Sequence, residues 1–178
     1  IQEFGIRYQS LLNERYDIGL YSDAASFRGE LAPLFQKSKS FLNLYCYTGA
    51  FSLYALKQGV KDVHSVDMAK KVLNWLEENL ELNPEIPAEH HTSHCHPVDK
   101  ALKVLLKEKR QFDVILSDPP PSSHDGQKQL NALEQYEKQF FDLTSLLAPG
   151  GTLVALLNHH QISLQKFRQR LQDLQQSL

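Results

Sequence analysis

Cysteine is scarce in this chain, with only Cys46 and Cys95 among 178 residues. That excludes a disulfide-stapled scaffold and fits a reducing compartment such as the cytoplasm. Long apolar runs are missing too. None approaches the roughly 20 residues a membrane-spanning helix needs, and the polar opening Ile1-Gln2-Glu3-Phe4 is not a signal peptide. Nor is one sign of charge in excess: a formal net charge of −2 gives no global attraction to nucleic acid, so an RNA substrate would need local patches or a further domain. The basic groups Lys70-Lys71, Lys107 to Arg110 and Arg168 to Arg170 read as solvated helix faces. What is present is an ordinary globular composition, 42% hydrophobic and 22% charged, in a chain long enough to bury a substantial core.

The informative stretch is Phe41-Leu42-Asn43-Leu44-Tyr45-Cys46-Tyr47-Thr48-Gly49-Ala50-Phe51-Ser52. An apolar run breaks at a glycine and resumes as a segment compatible with helix, as a buried strand does when it turns over a bound ligand. The next apolar segment ends at Asp67, eighteen positions after Gly49, where nucleotide-binding α/β units place an acceptor for ribose hydroxyls. A dinucleotide fold would carry G-x-G-x-x-G so that a pyrophosphate can approach the backbone. A lone glycine favours a phosphate-free nucleoside cofactor and leaves a nicotinamide-dependent oxidoreductase as an outside alternative.

Around that stretch, residues 1–22 read as a hairpin, with arms Glu3 to Leu12 and Tyr16 to Tyr21 about a turn at Asn13-Glu14-Arg15. A short helix with Phe27, Leu31 and Leu34 follows, shortened by Pro33. Strands are predicted at Phe41 to Tyr45, Val63 to Asp67, His90 to His96, Phe112 to Leu116 and Thr152 to Leu157. Helices are predicted at Ala50 to Gln58, Ala69 to Leu82 (Val72, Leu76, Leu80), Ala101 to Leu106 and Lys128 to Leu147 (Leu130, Leu133, Phe140, Phe141, Leu147). Pro149-Gly150-Gly151 ends the fourth, and a last helix carries Leu164, Phe167, Leu171 and Leu174. Five strand–helix alternations predict an α/β fold, a doubly wound, mostly parallel sheet behind a short N-terminal β-hairpin. The expected division is 1–35 for the hairpin and short helix and 36–178 for the cofactor-binding domain. Gly49, Asp67, Asp99 and Asp118 all fall at carboxyl ends of strands, where such sheets bind ligands.

Asn43 through Ser52, Ser65-Val66-Asp67-Met68 and Phe112-Asp113-Val114-Ile115-Leu116-Ser117-Asp118-Pro119-Pro120 together carry a resemblance. The chain resembles the S-adenosylmethionine-dependent enzymes that methylate bases of large-subunit ribosomal RNA, in particular the guanine-N7 and cytosine-C5 methyltransferases of bacterial 23S rRNA. Asp17-Ile18-Gly19-Leu20-Tyr21-Ser22-Asp23 followed by Arg28 looks like the family's segment ahead of its catalytic domain, so the likeness covers most of residues 3–158. It implies a Rossmann-like class I methyltransferase fold with S-adenosylmethionine as cofactor and RNA as substrate. Tyr47, Thr48, Gly49 and Ala50 would wrap the methionine part, Asp67 accept from the ribose, Met68 lie against the adenine and Asp99 reach its amino group. Arg28 would pair with the cofactor carboxylate or an RNA phosphate. Asp118, Pro119 and Pro120 would hold a planar base in line with the activated methyl.

Carbon five of cytosine needs a thiolate to add to the ring, whereas guanine N7 offers a lone pair. The cytosine-directed relatives carry a cysteine after the fifth strand, where this chain has Leu157-Asn158-His159-His160. The resemblance therefore leans to guanine N7, with Asn158 hydrogen-bonding the base edge and Cys46 a packing residue. The family's aromatic after Asp-Pro-Pro is replaced by Pro121-Ser122-Ser123, leaving His124 as a stand-in for stacking or pointing to a different substrate. That departure motivates a second reading, a non-catalytic RNA-associated module that keeps the cofactor fold. His90, His91, His94, Cys95 and His96 alternate faces on a strand, so no metal site is expected. Family members carry an RNA-binding domain ahead of this region and a strand pair after the last helix. Neither is visible, which implies a partial or shortened member with a sheet edge open to a second copy.

Overall fold

A computed structural model of the chain describes residues 1–11, 18–124, 129–157 and 162–177. A two-stranded ribbon opens it, β1 (Gln2–Glu3) against β2 (Ile6–Arg7). Its two-residue turn, Phe4-Gly5, has φ values of 50° and 71°, the type I′ signature that matches strand twist. The predicted hairpin was longer and turned at Asn13 to Arg15, which lies outside the described residues. Between its predicted arms the described backbone shows one link, Leu11 N–H to Ile18 O at 3.3 Å. A 3₁₀ turn (Ser22–Ala24) leads into α1 (Ala25–Glu30) and α2 (Ala32–Phe35). Pro33 sits in the first turn of α2, where a missing N–H costs nothing, so it starts a second helix rather than ending the first.

The α/β body then runs β3 (Ser40–Leu44), α3 (Ala50–Lys57), β4 (Asp62–Asp67), α4 (Lys70–Glu81), β5 (His91–Cys95), α5 (Val98–Lys107) and β6 (Phe112–Ser117). A small antiparallel hairpin follows, β7 (Ser122–His124) with β8 (Gln129–Asn131), before α6 (Ala132–Ser145), β9 (Leu147–Ala155) and α7 (Leu164–Gln176). The central sheet has the order β5-β4-β3-β6-β9, and every pairing in it is parallel. The chain winds outward from β3 to β5, then returns to the other side of β3 as β6. That reversal opens a crevice at the carboxyl ends of β3 and β6.

The inner strands β3, β4 and β6 are buried on both faces, as the centre of a parallel sheet is, while the edge strands β5 and β9 are only half-buried. On one face Phe41 and Val63 pack with Leu53, Leu56, Leu76 and Leu80, and the N-terminal Ile6, Leu20 and Phe35 join the same cluster. On the other, Leu42, Leu44 and Val66 meet Leu102 and Leu105 of α5, Tyr136 and Leu143 of α6, and Phe167 of α7.

Two boundaries and two stripe residues differ from the sequence expectation. A capping box in which Asn131 and Glu134 satisfy each other's backbone N–H groups starts α6 at Ala132, so Leu130 belongs to β8. Phe141 and Leu164, placed on apolar stripes by the sequence, are 70% and 67% exposed. Pro149-Gly150-Gly151 lies inside β9, where the pairing with β6 jumps from Phe112↔Leu147 to Val114↔Thr152. This is a bulge on an edge strand, which tolerates proline. A Cβ at Gly151 would sit 2.9 Å from Ala148 O and 3.0 Å from Phe112 O. Among the described residues no helix is long and apolar enough to cross a membrane.

Candidate active site

A cleft of about 720 Å³ opens over the carboxyl ends of the sheet. Its floor is the loop after β3. That loop bends by placing Tyr45, Tyr47 and Gly49 at φ 58°, 50° and 82°, a conformation glycine adopts freely but a tyrosine holds at about 1–3 kcal/mol. Contacts hold it there. Tyr47 N–H donates to Asp67 Oδ2 at 3.1 Å, Cys46 N–H to Val66 O at 3.0 Å, and Gly19 N–H to the Tyr47 hydroxyl at 3.2 Å. Thr48 is buried, its hydroxyl donating to Gly19 O at 2.6 Å and its carbonyl accepting from Asn79 at 3.1 Å. Tyr47, Thr48 and Ala50 line the cleft. Gly49 turns toward α4, where a Cβ would collide with Leu76.

Asp67 closes β4. Its second oxygen accepts from Ala69 N–H at 2.9 Å, and a carboxylate has lone pairs left for two ribose hydroxyls. Met68 beside it is 72% exposed at the mouth of the cleft. Asp99, in the first turn of α5, reaches the cleft from the β5 side and accepts from Lys138 Nζ at 2.5 Å and Gln139 Nε2 at 2.6 Å.

Asp118-Pro119-Pro120 follows β6 directly, with Pro119 buried and Pro120 exposed. Burial, then the negative charge of Asp23 on the 3₁₀ turn, pushes the Asp118 carboxyl up to about 6. Among the described residues no donor reaches it. Arg28 lines the cleft but is buried, its Nε and Nη2 gripping Glu3 at 2.7 and 2.9 Å, with Nη2 also on Tyr21 O at 2.8 Å. The sequence offered no sign of Glu3 as its partner. Cys46 lines the same floor, and burial followed by the charge of Asp67 raises its thiol well above the ordinary range, so it stays protonated.

Asn158, His159 and His160 lie outside the described residues, as does the side chain of His124, while Leu157 just before them lines the cleft. The segment after Asp-Pro-Pro is the β7–β8 hairpin. His91 and His94 point to opposite faces of the sheet: His91 Nε2 lies 2.8 Å from Ser65 Oγ, and His94 Nε2 lies 2.8 Å from His64 Nδ1. Sequence reading missed Tyr45, Gln135 and Gln139, which line the cleft and hydrogen-bond one another. The available signal was the four-residue spacing of the two glutamines beside Tyr136 and Phe140 on one helix stripe.

Asp23, Asp67, Asp99 and Asp118 all face the cleft, whereas Arg28 and Lys138, its two cations among the described residues, are paired with carboxylates. The pocket suits a ligand carrying positive charge and no phosphate. Fold and site together define a nucleoside-cofactor domain, and the sulfonium and ammonium of S-adenosylmethionine fit this donor set. Residues 1–170 match the S-adenosylmethionine-dependent methyltransferase family, and the chain belongs to it. It is 36% identical over 155 residues to the ribosomal RNA large subunit methyltransferase I of Shewanella amazonensis, covering 86% of this chain and 38% of that protein. To the methyltransferase K/L of Hahella chejuensis it is 32% identical over 166 residues, covering 92% of this chain and 22% of the relative. The chain thus spans well under half the length of these relatives. Its structure superposes on that of SMU.776 complexed with SAH at a TM-score of 0.87 and 25% identity, covering 96% of this chain and 44% of the other.

Proposed function

We propose that this chain is the catalytic unit of an RNA base methyltransferase acting in the cytoplasm, with guanine N7 of 23S rRNA as acceptor. The observation that carries the choice is the pairing of Asp118-Pro119-Pro120 at the end of β6 with a cleft whose one thiol, Cys46, is buried and held protonated. Cytosine C5 would need a thiolate there. The names of the two ribosomal RNA methyltransferase relatives support RNA as the substrate class.

Tyr47 to Ala50 would hold the methionine part, Asp67 the ribose, Met68 and Asp99 the adenine, and Arg28 would brace the floor and, through Nη1, meet the cofactor carboxylate. S-adenosylmethionine supplies a methyl activated on a sulfonium. Asp118 and Asn158 would orient the guanine, with the Pro120 carbonyl as a further acceptor for base N–H groups. N7 uses its own lone pair, so no general base is required at the attacking atom. The ring gains positive charge in the process, and an ionised, largely desolvated Asp118 stabilises that charge. A net charge of −2 leaves RNA affinity to a separate RNA-binding element.

Incubation with labelled S-adenosylmethionine and unmodified 23S rRNA, followed by digestion and mass spectrometry, is expected to yield 7-methylguanosine. Finding 5-methylcytidine instead would sink the N7 assignment. Pro121-Ser122-Ser123, where an aromatic is expected, favours the second reading of a non-catalytic RNA-associated module, and cofactor binding without transfer would select it.

A further inference from the structure

The two ends of the cleft are joined by a hydrogen-bonded chain that runs through α6. This helix buries Gln135 and Gln139, at 3% and 5% exposure, and their four-residue spacing puts both amides on one face. Buried amides are unfavourable unless their hydrogen bonds are met. Gln139 Nε2 donates to Asp99 Oδ1 at 2.6 Å and to the Tyr45 hydroxyl at 3.0 Å. That hydroxyl lies 3.1 Å from Gln135 Oε1, and Gln135 Nε2 donates to Pro120 O at 3.3 Å. The inventory of donors fixes the direction. Both Gln139 amide hydrogens are committed, so the single phenol hydrogen goes to Gln135, with Gln139 Oε1 at 3.2 Å as its weaker competitor. Burial pushes the Tyr45 phenol up to about 12, so the hydroxyl keeps that hydrogen at any working pH. Tyr45 also carries the left-handed backbone at φ 58°, a conformation these side-chain bonds help to hold.

We propose that Tyr45, Gln135 and Gln139 are positioning residues that set the Asp99 carboxylate and the Pro120 carbonyl as one unit, coupling methyl-donor binding to the geometry of the acceptor loop. The inference rests on the placement of Asp99 toward the adenine given above. Gln135 grips the acceptor loop, yet its replacement is felt at the donor end through Tyr45 and Gln139. A bound donor in turn stiffens the loop that receives the base, by the reciprocity any coupling obeys.

Calorimetry with S-adenosylhomocysteine, free of RNA, tests this on the full chain in four forms: wild type, Gln135→Met, Asp99→Asn and the double variant. Gln135→Met is expected to weaken binding about 3- to 10-fold, and in the Asp99→Asn background to change it less than about 2-fold, a non-additivity diagnostic of direct coupling. If Asp99→Asn weakens binding but Gln135→Met leaves it unchanged, or the two effects simply add, the relay is overturned while the cofactor placement stands. If Asp99→Asn has no effect, placement and relay both fail. Thermal melts of each variant separate coupling from unfolding. Should Gln135→Met fail to fold, Tyr45→Phe deletes the central link with the ring kept, and unchanged affinity there overturns the proposal equally. No RNA enters the experiment, so a wrong acceptor assignment leaves its result intact.

Discussion

On the proposed assignment, the donor half of the cleft is built from backbone and the acceptor half largely from side chains. Around Tyr47 to Ala50 the shape is set by left-handed residues, by Asp67 receiving two main-chain N–H groups and by a glycine wedged on Leu76. Around Asp118 it is set by a carboxyl with no described donor, two prolines and a helix that reaches across with glutamines. Backbone-built sites depend on a few irreplaceable conformations; side-chain-built sites depend on polar satisfaction and charge. The two halves are therefore expected to fail in different ways.

The largest separation is expected from Asp118→Ala. Methyl transfer should fall about 10²- to 10³-fold, the range for removing a group aimed at developing charge, with S-adenosylhomocysteine affinity changed less than about 3-fold. In the wild type the rate should rise with pH through about 6 as Asp118 ionises. A comparable loss of cofactor affinity in the variant would merge the two halves.

Stability should respond to pH in opposite senses at the start of β5, outside the cleft, and at Asp118 inside it. Burial, then His64 and His94, holds His91 down to about 4 against an ordinary 6.5. Its contribution is complete above pH 6.5 and is lost as pH falls toward 4, amounting to about 3 kcal/mol. Asp118 is shifted upward, so the native state holds its proton more tightly than the unfolded chain. Stability falls as pH rises from about 4 to 6, by about 2 kcal/mol after discounting for partial exposure. Urea unfolding at pH 4.5 and 7.5 checks both. Asp118→Asn should gain stability at the higher pH only, and His91→Gln should flatten the acid limb.

Gly49→Ala should cost about 2 kcal/mol, from left-handed strain and overpacking against Leu76, and should weaken S-adenosylhomocysteine binding at least about tenfold. Equal affinity would show that the floor is set by side chains after all. The smallest effect is assigned to Asp67→Asn, about tenfold in cofactor affinity, or about 1.4 kcal/mol, because the amide keeps one oxygen, which still accepts from one of the two N–H groups that Asp67 holds at Oδ1 and Oδ2. The calorimetric titration that reads it also reads the rate-silent side of the comparison.

The same division explains what was legible beforehand. Strands at Phe41, Val63 and Phe112, and the helices after them, announce themselves through apolar runs punctuated by glycine and proline. Asp67 and Asp118-Pro119-Pro120 sit at spacings that depend only on those runs. The start of β9 was hidden because Pro149-Gly150-Gly151 reads as punctuation, whereas β6 supplies a partner that carries the strand across it. The ribbon at Phe4-Gly5 is two residues per arm, too short for alternation to register. The spacing of Gln135 and Gln139 was legible, but their partners, like the pairing of Arg28 with Glu3, were not, because a polar residue on a helix stripe says nothing of which distant group satisfies it.

The strand order carries a kinetic consequence. β3, β4 and β5 arise from one contiguous stretch, residues 40 to 95, and pair in sequence order. β6 must return past them to find β3, joining Phe41 to Val114. Contacts of long sequence separation form late, because the loop entropy is spent before they are rewarded. During synthesis, residues 40 to 95 therefore emerge before the Asp-Pro-Pro strand, and the side of β3 that pairs with β6 waits for its partner until then.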